Sequence, residues 1–130
     1  MSTPAPDADL TRLFRDVPGA IPLYRAFETR VLAQHPAASL RVQKTQVTFV
    51  NPRVFACASL LRARRKALLP DPYLTITLGL AHRLDSPRVD QASEPYPGRW
   101  THHLVIGSID EIDDELMAWT AEAYRFAERK

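Results

Sequence analysis

Tyr73-Leu74-Thr75-Ile76-Thr77-Leu78 is the stretch on which the fold turns. Successive side chains of an extended chain point to opposite faces, so Leu74, Ile76 and Leu78 share one side. Tyr73, Thr75 and Thr77 share the other. One apolar side and one hydroxyl side is the pattern of a strand whose sheet has a single face against a core.

Other strands read outward from this one. Leu40-Arg41-Val42-Gln43 alternates, as does Gln46-Val47-Thr48-Phe49-Val50. Asn51-Pro52-Arg53 signals a turn, and Val54 to Leu61 then carries apolar or small residues on both sides, as a central strand does. Trp100 to Ile106 reads as the last strand. Between them, Ala81 to Arg99 is rich in Pro and charge and has no periodicity, so it reads as a long loop. The two ends are helical. Ile21, Tyr24, Phe27 and Val31 recur at three- and four-residue steps before Pro36, preceded by a short turn around Leu10, Leu13 and Phe14. At the carboxyl end, Ser108 and Glu111 fit a capping box, followed by Ile109, Ile112, Leu116, Trp119, Ala123 and Phe126. Acids crowd its first turns and Arg125, Arg129 and Lys130 its last, which complements the helix dipole. These readings predict one α+β domain over residues 9–130. It has about five antiparallel strands, with N-terminal and C-terminal helices packed on one face. Residues 1–8 read as a disordered tail.

Several stretches together resemble a family of small bacterial domains of unknown function. They are Leu13-Phe14 with Pro18 and Leu23-Tyr24, the strand Lys44-Thr45-Gln46-Val47-Thr48-Phe49, and Gly79-Leu80. Arg99-Trp100-Thr101-His102-His103 and Asp110-Glu111-Ile112-Asp113-Asp114-Glu115-Leu116-Met117-Ala118-Trp119 complete the set. The likeness covers nearly the whole chain after the tail. It implies the same domain outline and brings no reaction, cofactor or substrate.

Composition narrows the function classes. The 130 residues are 45% hydrophobic and 25% charged, with a net charge of +2, far from the surplus of a dedicated DNA-binding domain. No apolar run approaches the ~20 residues of a membrane span. The start lacks the basic and apolar regions of a signal peptide, and a single Cys57 forms no internal disulfide, so a cytoplasmic location is the expectation. Neither a Gly-rich phosphate loop, a Gly-x-Ser-x-Gly elbow nor a His-Glu-x-x-His motif occurs, so no cofactor or metal is expected. His102 and His103 are strand neighbours on opposite faces and cannot share one ion.

Three functional readings remain. The first places an anionic ligand on the polar sheet face, bound by Lys44, Thr48, Tyr73, Thr75, Thr77 and His103. Arg83, Arg88 and Arg99 would arch over it from the 81–99 segment. On that reading the protein is a non-enzymatic binding or accessory module. The same face would equally suit solvent or the interface of a homodimer. The second takes Arg62, Arg64, Arg65 and Lys66 as a loop tip gripping nucleic-acid phosphates. In the third, a small enzyme uses His103 as general base beside an arginine clamp.

Overall fold

The computed structural model describes residues 3–130; Met1 and Ser2, the start of the expected tail, lie outside them. The chain runs α1 (Asp7–Leu13), α2 (Ala20–Gln34), β1 (Ser39–Val42), β2 (Gln46–Val50), β3 (Val54–Ser59), β4 (Leu74–Leu80), β5 (Gln91–Tyr96), β6 (Arg99–Ile106) and α3 (Asp114–Arg129). The strands form one antiparallel sheet in the order β1-β2-β3-β4-β6-β5.

Alternation along β4 decides which face is which. Leu74, Ile76, Leu78 and Leu80 are fully buried and join Val47, Phe49, Ala56, Ala58, Leu104 and Ile106 in the main core beneath the helices. α2 contributes Leu23, Tyr24, Phe27 and Val31, and α3 contributes Leu116, Met117, Ala123 and Ala127. Phe49 anchors the aromatic packing: the Phe27 ring meets it edge-on at 5.4 Å, with Tyr24 at 6.4 Å and Phe55 at 6.3 Å. Burying such a ring fully contributes about 1.5–3 kcal/mol.

The sheet has six strands, one more than expected, because Gln91–Tyr96 pairs with β6. The sequence hides this strand for a physical reason. β5 is an edge strand largely exposed to water, so neither face selects apolar residues and no alternation develops. Pro95 is tolerated there because an edge leaves one side of the ladder unpaired. The hairpin closes at Gly98, whose φ of +73° suits a residue without Cβ.

The carboxyl-terminal helix starts later than the capping-box reading places it. Ile109–Glu111 is a separate 3-10 turn, and Asp113 caps α3 by accepting from the Leu116 N–H at 3.0 Å. Glu111 reaches back to the Gly107 N–H at 2.7 Å. Arg88 explains the shift. Its guanidinium binds the Asp113 carboxylate at 2.9 Å and the Glu111 carbonyl at 2.7 Å, clamping the turn against the helix start. One sheet-side cation therefore outweighs the local cap.

At the other end, order begins inside the span read as a tail. Ala5 is buried and donates its N–H to Glu28 Oε2 at 3.0 Å, and α1 starts at Asp7. Glu28 is a buried carboxylate that also accepts from the Tyr24 hydroxyl at 2.8 Å and from Arg25 at 2.8 Å. Burial, followed by the neighbouring carboxylate, pushes the Tyr24 hydroxyl far above the ordinary phenol range. Glu28→Ala leaves the Tyr24 hydroxyl and the Ala5 amide without their partner. We expect a loss of about 3 kcal/mol in urea unfolding, in the range for breaking a buried ion pair. A loss below 0.5 kcal/mol would show that this carboxylate does not hold the amino-terminal segment.

Candidate functional site

The sheet face away from α2 and α3 is polar, and cross-strand register lines its groups up. Thr48, Cys57, Thr77 and His103 stand opposite one another in one row across β2, β3, β4 and β6. Gln46, Ser59, Thr75 and Val105 form the adjacent row.

The β4 and β6 end of the second row, Thr75 and Val105, is covered, but by a loop instead of a helix. Residues 60–69 cross it, and their backbone carbonyls need donors. Tyr73 and Thr75 supply them: the Tyr73 hydroxyl donates to Leu60 O at 2.6 Å and Thr75 Oγ1 to Leu61 O at 2.6 Å. The Gln91 side-chain amide donates to Ala63 O at 3.1 Å. Arg64 turns inward to Asp90 at 2.6 Å and Val105 O at 3.3 Å, so it is a fastener of this loop. Arg62, Arg65 and Lys66 point outward. Gly107 admits the loop closely, since a Cβ there would stand 2.6 Å from the Pro70 Cβ.

Cys57, Thr77 and His103 of the first row, with Gln46 and Ser59 of the second, open into a cleft of about 690 Å³. Gln46, Cys57, Ser59, Thr77 and His103 form its floor, and Leu60 and Leu61 one side. Lys44 and Thr45 from the β1–β2 turn stand on a second side, and Arg12, Leu13, Arg15 and Asp16 at the end of α1 close a third. Leu10 and Phe14 are buried, with Phe14 5.8 Å from Tyr24, so α1 presents the residues between and after them to the cleft. Three cations thus face one carboxylate. Arg12 is paired with Asp9 at 3.2 Å, whereas Arg15 and Lys44 have no ion-pair partner among the described residues.

On the floor, Thr77 Oγ1 and His103 Nδ1 are hydrogen-bonded at 2.9 Å. Burial holds the His103 pKa below the usual imidazole range, so the ring is neutral at pH 7. Thr48 is buried, with its hydroxyl donating to Gln43 and receiving the Gln46 amide at 2.9 Å. Burial also raises the Cys57 thiol, which stays protonated and a poor nucleophile.

Of the residues expected at an anion site, Lys44, Thr77 and His103 line this cleft, and Thr48 lies just behind Gln46. Tyr73 borders a second, smaller cleft of about 440 Å³ together with Arg62, Lys66, Asp16 and Asp71. The arginines expected to arch over the floor do not gather there. Arg88 is committed to α3, Arg83 is exposed beside the helix-side His102, and Arg99 lies 5.6 Å from the Tyr96 ring at the far hairpin. The pairing of β5 with β6 draws the 81–99 segment along the sheet edge instead of across its face. Arg12 and Arg15 take the place assigned to them. Their sequence signal, two cations flanking Leu13-Phe14 on a short helix, does not distinguish them from any solvated helix face.

A family model described as Domain of unknown function (DUF5655) matches residues 11–127. The chain belongs to this family. Every residue lining the larger cleft falls within the DUF5655 match. No curated protein and no solved structure matches the chain. Among the described residues no helix is long and apolar enough to cross a membrane.

The histidines of the DUF5655 domain contribute to its acid response. His102, opposite His103 on the strand, is fully buried on the helix side and accepts the Leu84 N–H at Nε2 at 2.9 Å. Burial lowers the pKa of His102, and likewise of His35 and His103. The unfolded chain therefore takes up protons first as pH falls below about 6.5, and stability drops. His82, raised by Glu122, acts in the opposite direction from an exposed position. The net expectation is a lower Tm at pH 5.5 than at pH 7.5. His102→Gln keeps an acceptor for Leu84 and should make that difference smaller; an unchanged difference would remove His102 from the account.

Proposed function

We propose that this domain is a non-enzymatic binding module for an anionic small molecule, held in the cleft between the end of α1 and the polar sheet face. One observation carries the reading: Arg12, Arg15 and Lys44 converge from two separate elements on a single cavity that has only Asp16 as a counter-charge. Arg15 and Lys44 have no ion-pair partner among the described residues, which supports an anion as the group they would meet. The cavity volume lies within the ordinary range for small-ligand sites, roughly 300–1,000 Å³.

The other two readings have less support. Of the basic loop residues, Arg64 is bound to Asp90, and the cleft bordered by Arg62 and Lys66 also contains Asp16 and Asp71. Charge there is balanced, which suits a solvated loop better than a phosphate track. An enzyme with His103 as base would need the arginine clamp that the dispersed Arg83, Arg88 and Arg99 do not make.

Calorimetric titration of the full chain with phosphate, nucleotide, carboxylate and oligonucleotide ligands tests the proposal. A small anion should bind, and Lys44→Ala and Arg15→Ala should each weaken it about tenfold, as expected for losing one charge-assisted hydrogen bond. Arg65→Ala should leave it unchanged. Binding of oligonucleotides alone, abolished by Arg65→Ala, would favour the basic loop instead. No binding of any anion would overturn the proposal, and a dimer that closes the cleft in sedimentation would then assign this face to self-association.

A further inference from the structure

The cleft has two chemically distinct zones. Its charged groups, Arg12, Arg15, Lys44 and Asp16, all belong to α1's end and the β1–β2 turn, while the floor carries no formal charge. A bare oxyanion satisfies the rim and leaves the floor unused. The floor holds hydrogen-bonding atoms that the protein does not spend. Gln46 commits its Nε2 to Gln43, Thr48 and Cys57, at 3.1, 2.9 and 3.4 Å, which leaves Oε1 without a partner among the described residues. His103 commits Nδ1 to Thr77, which leaves Nε2 without one.

Gln46 Oε1 accepts only. His103 Nε2 accepts or donates according to which ring nitrogen carries the proton. A hydroxyl group answers both, because it donates and accepts at once. Leu13, Leu60 and Leu61 complete the cavity with an aliphatic wall, which suits the C–H face of a polyhydroxylated carbon skeleton and not a second charge. The neighbouring cleft balances Arg62 and Lys66 against Asp16 and Asp71, so cationic surplus does not continue along the surface as a polyanion would require.

We infer that the ligand of this cleft is a sugar phosphate: its phosphate lies between Arg15 and Lys44, and its hydroxyls meet Gln46 Oε1 and the Thr77–His103 pair. The inference rests on the anion-binding reading above and adds the chemical class of the body. It separates a sugar phosphate from an alkyl phosphate of equal charge, which leaves Gln46 Oε1 and His103 Nε2 facing methylene groups and unpaired.

Calorimetry with the full chain tests it, using glycerol 3-phosphate, ribose 5-phosphate and glucose 6-phosphate against propyl, pentyl and hexyl phosphate, with inorganic phosphate and glucose as references. At least one hydroxylated phosphate should bind tenfold or more tighter than its alkyl counterpart and than inorganic phosphate, and glucose should not bind measurably. Thr77→Val and, independently, Gln46→Met should reduce that preference, read as the ratio of the two affinities within each variant, to threefold or less. Thermal unfolding of each variant confirms that it is folded. If alkyl phosphates bind as tightly as their hydroxylated partners, or carboxylates are the only anions bound, the sugar-phosphate assignment falls and the anion site stands. If no anion binds, both fall.

Discussion

α2 and α3 occupy one face of the sheet only, and that constraint governs everything on the other face. A strand such as β4 cannot be apolar on both sides and still alternate, so Thr75 and Thr77 are carried to the uncovered side by the burial of Leu74, Ile76 and Leu78. Polar groups there must meet water, a ligand or other protein atoms. The chain uses protein atoms for part of the face: the 60–69 loop lies across β4 and β6, and the Tyr73, Thr75 and Gln91 side chains satisfy its carbonyls. The cleft is the part of the face that this loop borders, through Leu60 and Leu61, but does not cover.

Charge is distributed in the same economical way. Arg25, Arg30, Arg64 and Arg88 each face a carboxylate, and each joins distant parts of the chain: Asp7, Asp114, Asp90 and Asp113 are their respective partners. These arginines stabilise connections between segments that the sheet ladder does not link, although exposed pairs among them contribute no more than about 1 kcal/mol. Arg15 and Lys44, like several other cations, have no such partner among the described residues, and what distinguishes them is that they line the cleft.

How far the sequence discloses this arrangement depends on how many constraints act on each residue. β4 is visible at once because burial on one side and exposure on the other impose a period of two. The same holds for the opposed faces of His102 and His103, since strand geometry alone separates them. β5 is invisible because an exposed edge strand imposes no period, and with it goes the path of Arg83, Arg88 and Arg99. The start of α3 is misplaced because Ser108 and Glu111 satisfy a local rule, while Arg88, 25 residues before Asp113, selects a different cap. Arg12 and Arg15 escape notice for a related reason. Their place at the cleft depends on where a seven-residue helix docks, and nothing within seven residues states that.

That docking depends on Glu28. A helix as short as α1 is marginal in isolation, because the cost of nucleation is spread over too few hydrogen bonds. It is held from outside: Leu10 and Phe14 enter the core, while Glu28 fastens Ala5 just ahead of it and Arg25 fastens Asp7 at its first residue. The buried carboxylate therefore fixes, at a distance, where Arg12 and Arg15 stand relative to Lys44 and His103. On the anion-binding proposal, a ligand across that gap would link α1, the β1–β2 turn and the central strands, and binding to the folded state alone would raise its stability by mass action. Fold and site are thus coupled through one short helix whose position neither its own propensity nor its own sequence determines.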